Sequence, residues 1–210
     1  MRSEGLSETG TRTGGGAHAP ASGRAENRRE SHRESHRVWD PLVRLVHWGV
    51  AGAVLLNATV IEHESTAHEL IGYTAVSLVA VRLVWGLIGT RHARFSAFPP
   101  NPVAALRHLA GLIAGRHRVH LSHNPAGALM VYNLWATLIG MGVTGYMMGT
   151  RAYFGVEWVE ELHEGLFNWL MISVGLHLLG VVVDSLATRV NLVRAMVDGR
   201  KRVPPGSTAE

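Results

Sequence analysis

LHEGLFNWLMISVGLHLLG, residues 162–180, is an apolar segment that carries one histidine toward each end. These two residues, His163 and His177, are 14 positions apart. Over that spacing an α-helix rises about 21 Å and turns through about 1400°, so the two imidazole rings point within about 40° of each other. A single helix can therefore offer one ligand near each side of a bilayer, whose apolar core is about 30 Å thick.

Three other apolar segments precede this one. Each is near the length of about 17–25 residues that a membrane-spanning helix needs. The third has no charged residue between Asn124 and Thr150, so it lacks the polar stripe of a helix that faces water. The sequence therefore predicts an all-α protein, an integral membrane four-helix bundle. Its spans are expected at about residues 42–61, 68–88, 124–150 and 162–186.

Charged residues between the apolar segments predict the orientation of the bundle. Arginines precede the first span, fill the connection between the second and third, and recur after the fourth, whereas carboxylates dominate the other two connections. By the positive-inside rule, both termini and the long middle loop are cytoplasmic. This topology accounts for the net charge of +4, so nucleic-acid binding is not expected. In the middle loop, Asn101-Pro102 and the helical spacing of the next apolar residues predict a short amphipathic helix.

The two ends of the chain are polar. Residues 1–37 are rich in Gly, Ser, Arg and Glu and contain a tandem Arg-Glu-Ser-His repeat at 29–36, so we expect a disordered cytoplasmic tail. The membrane domain is expected over residues 38–203, with a short C-terminal tail over 204–210. Because the sequence has no Cys, thiolate ligation of haem, iron–sulfur clusters and covalent haem attachment are excluded.

Four histidines fall at two depths in this topology. His47 lies one turn into the first span, and its depth, near the cytoplasmic side, matches that of His177 on the fourth. His68 and His163 open the second and fourth spans on the outer side. Each pair can supply the two axial ligands that a haem iron takes from facing helices. We therefore expect two bis-histidine haems, one inner and one outer. His63 is a weaker candidate than His68, because it lies in an acidic loop.

Cationic and small residues accompany these histidines. Arg44 lies one turn before His47, and Arg82 lies beyond His68 on the cytoplasmic half of the second span. Haem propionates need cationic partners, so both arginines are candidates for the inner haem; the alternative for Arg82 is snorkelling to the membrane surface. Glycines provide room for a flat group or, alternatively, allow close helix packing. They are Gly49, Gly52, Gly72, Gly140, Gly142, Gly145, Gly165, Gly175 and Gly180.

Around these residues the chain resembles the prokaryotic membrane cytochromes b of the five-sixty-one type. That superfamily includes the cytochrome b subunits of Ni/Fe hydrogenases and formate dehydrogenases. The resemblance covers roughly residues 38–203, and its specificity lies in the combined motifs. They are WDPLVRLVHW (39–48), HELIGY (68–73), RLVWG (82–86), HNPAGALM (123–130), TGYMMG (144–149), NLVRAMVDGRKR (191–202) and the two histidines of the fourth span.

The resemblance implies two b haems with bis-histidine ligation and electron transfer across the bacterial cytoplasmic membrane. Carried over to matching positions, the ligands are His47, His68, His163 and His177. The implied partners are membrane lipid, the quinone pool, and an outer-surface protein such as a hydrogenase, a dehydrogenase or a cytochrome c. An electron-transfer subunit fits better than a self-contained enzyme, and no catalytic residue is assigned.

Three other functions remain open. A stand-alone oxidoreductase acting between superoxide and quinone is compatible with the same family. A histidine-lined metal transporter belongs to a different class and would favour carboxylates and ligands grouped at one depth. A membrane anchor without a cofactor would leave the matching depths of the histidines as coincidence. An absorption spectrum of the purified protein would separate the cytochrome from the last two.

Overall fold

The computed structural model describes residues 34–37, 39–90, 93–113 and 124–203. Its main elements are helices. Two short strands, one near each end of the described chain, pair with each other. In chain order the elements are β1 (Glu34–Arg37), α1 (Pro41–Thr59), α2 (Thr66–Ile88), a 3₁₀ turn (Phe95–Ala97), α3 (Pro102–Ile113), α4 (Pro125–Met148), α5 (Glu157–Thr188), α6 (Leu192–Asp198) and β2 (Arg200–Val203).

Four of these helices are long and apolar enough to cross a membrane, namely α1, α2, α4 and α5. Large apolar side chains cover their outer surfaces; Leu55, Leu87 and Leu186 are each more than half exposed. In water such exposure would be costly, whereas in lipid it is the expected arrangement. The fold is therefore the all-α membrane helical bundle that the sequence predicts.

The helices pack in a consistent order. Helix α1 packs against α2, α2 against α4, and α4 against both α5 and α3. In the described part of the chain, α5 is not closely packed against α1 or α2. A small apolar core joins Val79 of α2, Leu138 of α4 and Leu170 of α5. Helix α5 is therefore held mainly by its contact with α4.

Three of the glycines serve close helix packing rather than making room for haem. A Cβ atom at Gly49 would lie 2.8 Å from Leu78, and one at Gly142 would lie 2.5 Å from Val76. Gly140 similarly approaches Leu166 of α5. By contrast, a Cβ atom would meet nothing within 4 Å at Gly52, Gly165, Gly175 or Gly180.

Asx-Pro pairs fix where three helices begin. Asp40 accepts a hydrogen bond from the Val43 N–H at 2.9 Å, and Asn124 accepts one from the Gly127 N–H at 2.6 Å. Asn101 does the same for α3, which confirms a helix in the middle loop. In each case the side chain satisfies a free N–H group, and the proline that follows has none to satisfy.

The end of the bundle where α1 and α4 begin and α2 and α5 finish is called the terminus end here. There, β1 pairs antiparallel with β2, with Glu34 opposite Val203, and the Trp39 N–H donates to the Gly199 carbonyl at 3.3 Å. The paired strands thus extend the folded unit to residue 34, ahead of the boundary expected at 38. The rest of the expected N-terminal tail, 1–33, and the C-terminal tail, 204–210, lie outside the described residues.

Candidate functional site

Two pairs of histidine rings face each other across the bundle. His47 of α1 and His177 of α5 have ring centres 6.4 Å apart with ring planes at 53°. His68 of α2 and His163 of α5 have ring centres 6.5 Å apart with ring planes at 66°. The structure therefore brings together the same two pairs that the sequence predicts.

The ring separation is the one expected for two imidazoles on one metal. An imidazole nitrogen binds a transition metal at about 2 Å and lies roughly 1.2 Å from its ring centre, so two rings on opposite sides of a metal have centres about 6.4 Å apart. Ordinary aromatic contacts span about 4.5–7 Å, so the argument for a shared metal rests on the recurrence of one spacing in two pairs that lie on different helices. The same spacing occurs in both pairs.

Each pair joins two helices that are not closely packed neighbours. The 47–177 pair links α1 to α5, and the 68–163 pair links α2 to α5. Because α5 supplies one ring to each pair, the two sites lie one above the other along that helix, about 21 Å apart by helical rise. A flat group such as a porphyrin needs this kind of opening between facing helices.

Buried ring nitrogens support the same interpretation. Nδ1 of His47 and Nδ1 of His68 are buried and have no hydrogen-bond partner. A buried imidazole nitrogen without a partner is unfavourable, because it loses water without a replacement. An imidazole can bind a metal through either nitrogen, so an unengaged nitrogen in each pair fits a metal-centred cofactor.

Thr144 orients the ring of His163. The Thr144 hydroxyl lies 3.0 Å from the Gly140 carbonyl and 2.8 Å from Nδ1 of His163. With the hydroxyl proton on the Gly140 carbonyl, the Thr144 oxygen accepts a hydrogen bond from the Nδ1–H group of His163, which is one of the two tautomers that this contact allows. This tautomer leaves Nε2 unprotonated and available as a ligand. Sequence patterns did not identify Thr144, since it lies on another helix with no fixed spacing to His163.

Asn57 and His63 surround His68. The Asn57 amide donates to the His68 carbonyl at 3.0 Å and so fixes the start of α2 against α1. His63 is exposed in the loop, and its ring contacts the ring of His68 edge-on at 5.8 Å. The ring that faces His163 is that of His68. Two further histidines near the middle loop, His120 and His123, lie outside the described residues.

Arg82 is buried rather than extended to the surface. Its side chain is 4% exposed, and Nη2 donates to the Ala93 carbonyl at 2.9 Å. The guanidinium lies over the rings of Trp135 and Phe98, 5.2 and 5.8 Å from their centres. Its Nη1 atom is buried without a partner, so one cationic donor remains available. These contacts are incompatible with snorkelling.

Arg44 is anchored at the terminus end. Its Nη2 donates to the Val197 carbonyl, at the end of α6. Gly199 follows with a φ of 79°, and a Cβ atom there would lie 3.2 Å from the Arg44 guanidinium. The Nε atom of Arg44 is buried without a partner. Arg44 thus already has a structural contact, and only part of its guanidinium is free to face a ligand.

Asp40 joins α1 to the end of α2. Besides capping α1, its carboxylate accepts hydrogen bonds from the Trp85 indole at 2.9 Å and the Thr90 hydroxyl at 2.8 Å. Burial raises the pKa of the Asp40 carboxyl, but these hydrogen bonds and the nearby charge of Arg82 outweigh burial and hold the pKa below its usual value. Sequence patterns did not identify these contacts, because Trp85 and Thr90 are far from Asp40 along the chain.

A neutral polar network joins α4 to α5 between the two histidine pairs. The Asn133 amide donates to the Ser173 hydroxyl at 2.8 Å and accepts from the Trp169 indole at 3.0 Å. Ser173 is 1% exposed. Hydrogen bonds of this type stabilise helix pairs in lipid by roughly 0.6–2 kcal/mol each. They help to hold α5, the helix that carries His163 and His177, in position.

These features define a class: an integral membrane four-helix bundle with paired histidines between its spans. A family model described as prokaryotic cytochrome b561 matches residues 38–199, and the chain belongs to this family. Members of the family bind b-type haem and act in membrane electron transfer. Comparison with curated proteins and with solved structures gives no match to this chain.

Proposed function

We propose that the chain holds two b haems, one between His47 and His177 and one between His68 and His163, and conducts electrons across the membrane between them. The observation that carries this proposal is the ring separation of 6.4 and 6.5 Å in the two pairs. Two matching sites at different depths on α5 form a path across the bilayer. A single site would support anchoring or sensing, but not transfer across the membrane.

The residues favour electron transfer over binding of an external ligand. A bound haem supplies a one-electron iron couple. If each pair holds one haem through both of its imidazoles, that haem would have no free position at which oxygen or substrate could bind. Thr144 holds one ring in the ligating tautomer, and the unpartnered Nδ1 atoms lie on the rings of His47 and His68. The chain's own role is to fix four imidazoles and exclude water around them.

Arg82 and Arg44 are proposed to hold the propionates of the haem on the 47–177 pair. The interval from His68 to Arg82 on α2 equals the interval from His163 to His177 on α5. Because α2 and α5 run in the same direction from the facing pair of histidines, Arg82 is at the depth of His177. Its buried Nη1 and the buried Nε of Arg44 are donors that a carboxylate would satisfy.

The proposed orientation places the terminus end in the cytoplasm and the 68–163 pair near the outer surface of the bacterial inner membrane. Exposed Arg189, Arg194 and Arg200 lie at the terminus end. By the positive-inside rule these arginines set the topology, and exposed carboxylates dominate the opposite end. They are Glu62, Glu64, Glu69, Glu157, Glu160, Glu161 and Glu164.

The proposed partners follow from this orientation. An outer-surface redox protein, such as a hydrogenase, a dehydrogenase or a cytochrome c, would exchange electrons at the 68–163 pair. Quinone in the membrane would do so at the 47–177 pair. The alternative in which superoxide is the outer reductant uses the same path. A metal transporter is less well supported, since the described residues contain no group of three or more His, Cys, Asp and Glu side chains that could hold an ion.

Single histidine substitutions test the pairing. His47→Ala and His177→Ala should each remove the same haem, and His68→Ala and His163→Ala should each remove the other. The measurements are the haem-to-protein ratio and the reduced-minus-oxidised spectrum of the purified protein, with His63→Ala as the matched control. A colourless wild-type protein from haem-sufficient cells would contradict the proposal. So would loss of one and the same haem in His47→Ala and His68→Ala.

A further inference from the structure

Asp184 is a buried carboxylate near the terminus end of α5. It is 9% exposed, and its Oδ2 accepts a hydrogen bond from the Asn124 amide at 3.2 Å. Within the described ranges, its carboxylate has no ion-pair partner; the ion pair found there joins Arg194 to Asp198. A buried acid without a cation is costly next to lipid, and such residues mark ion or proton paths by default.

Asp184 lies on the ligand-bearing face of α5. It is two helical turns beyond His177. Over that interval the helix rises about 10.5 Å and turns through about 700°. The Asp184 side chain therefore leaves the helix within about 20° of the direction of His177. The carboxylate therefore lies between the 47–177 pair and the terminus end, where this face of α5 meets Asn124 at the start of α4.

A structural clamp does not require an acid at this position. Asn133 and Ser173 already join α4 to α5 with a neutral hydrogen bond of 2.8 Å. An asparagine at position 184 would hold Asn124 equally well without the cost of a buried charge. What a carboxyl group adds is a proton that it can give and take.

We propose that Asp184 is the proton-transfer group for a quinone that reacts at the 47–177 site; this inference rests on the proposed function. Reduction of a quinone to a quinol consumes two electrons and two protons. The haem that the 47–177 pair would hold would supply these electrons one at a time. Each is accompanied by a proton from the Asp184 carboxyl to a quinone oxygen, and cytoplasmic water then reprotonates the carboxylate. Quinol oxidation reverses these steps and uses the same group as the base.

The test compares two oxidants that differ in their need for protons. Purified, fully reduced protein is mixed with a short-chain quinone or with ferricyanide, and haem oxidation is followed by absorbance. Asp184→Asn should slow oxidation by quinone at least about tenfold, since a missing acid–base group costs that much or more. Ferricyanide accepts an electron without a proton, so its rate should stay near that of the wild type.

Two further variants separate proton transfer from structure, and a third is a surface control. Asp184→Glu keeps the carboxyl group and should recover most of the quinone rate. Asn124→Ser keeps the helix cap but loses the hydrogen bond to Asp184, and it should slow the quinone reaction far less than Asp184→Asn does. Asp198→Asn removes an acid outside the bundle at the same end and should leave both rates unchanged.

Particular outcomes would overturn the inference. Equal quinone rates in the wild type and Asp184→Asn would overturn it and leave the haem sites and the quinone partner intact. Equal slowing in Asn124→Ser and Asp184→Asn would show that the contact between them is only structural. A wild-type protein that ferricyanide oxidises and quinone does not would reject both this inference and the quinone part of the proposed function.

Discussion

The Thr144 hydroxyl lies 2.8 Å from Nδ1 of His163, within hydrogen-bond distance, and it belongs to α4, a helix that carries none of the four paired histidines. Helices α1, α2 and α5 carry the paired rings, and α4 carries the threonine that contacts one of them. Partners of this kind set the tautomer and direction of a metal-binding imidazole. The role of α4 in the site is therefore to position α5 and one of its rings.

Thr144→Val should weaken haem binding at the 68–163 pair. Valine has the shape of threonine but cannot accept the Nδ1–H group, so the His163 ring loses its orientation and a buried donor is left unpaired. We expect about tenfold weaker haem retention at this site and little change at the 47–177 pair. Transfer of haem to excess apomyoglobin measures the loss. Thr144→Ser keeps the hydroxyl and is the control; equal losses in both variants would contradict a hydrogen-bonding role.

Gly142→Ala should destabilise the contact between α2 and α4. The new Cβ atom would lie 2.5 Å from a methyl group of Val76, which is too close without a shift of one helix. Overpacking of this kind costs roughly 1–3 kcal/mol. Gly52→Ala is the matched control, because nothing lies within 4 Å of that position. Thermal unfolding in detergent should show a lower midpoint temperature for Gly142→Ala and an unchanged one for Gly52→Ala. Equal midpoint temperatures in the two variants would mean that α2 and α4 can move apart at little cost.

Much of this architecture could be predicted because each prediction needed only one helix at a time. The lengths of the spans follow from apolar runs, and the shared direction of His163 and His177 follows from helical geometry. The pairing with His47 and His68 needed only the alternation of spans. Helix starts at Asn101 and Asn124 follow from the same local rule. Such features depend on chain spacing, which a sequence displays directly.

The remaining features depend on how one helix is rotated against another. Thr144 touches His163 only because α4 packs against α5 in one particular register. The burial of Arg82 beneath Phe98 depends on the path of the loop after α2. Glycines look alike in sequence, yet Gly142 meets a neighbouring helix and Gly52 does not. None of these relationships has a fixed spacing along the chain.

Asp40→Asn should destabilise the terminus end and remove one contribution to the pH dependence of the free energy of unfolding. Asparagine still caps α1, but its amide cannot accept from both Trp85 and Thr90, so we expect a loss of roughly 1–2 kcal/mol. The pKa of Asp40 is lowered in the folded state. Its ionised form therefore stabilises the fold fully above the usual aspartate pKa of about 4, and this contribution is lost as the pH falls through the folded-state value.

The measurement for Asp40 is the difference in unfolding midpoint between the wild type and Asp40→Asn. This difference should be constant from about pH 6 to 8 and should shrink below about pH 4, because only the wild type carries the titrating group. Glu157→Gln, at the exposed start of α5, is the control for a surface carboxylate. A difference that grows as the pH falls would have the wrong sign and would reject this account.

Arg82→Gln should lower the midpoint potential of the haem on the 47–177 pair. A buried positive charge favours the reduced, less positive iron, and its removal makes reduction harder. One unit charge at about 10 Å in an effective dielectric of about 20 contributes about 1.7 kcal/mol, or on the order of 70 mV for one electron. Arg82→Lys keeps the charge and should stay near the wild-type potential. Redox titration followed by absorbance resolves the two haems, and the haem on the 68–163 pair should be unaffected. An unchanged potential in Arg82→Gln would show that Arg82 has only a structural role, through its contacts with Ala93, Trp135 and Phe98.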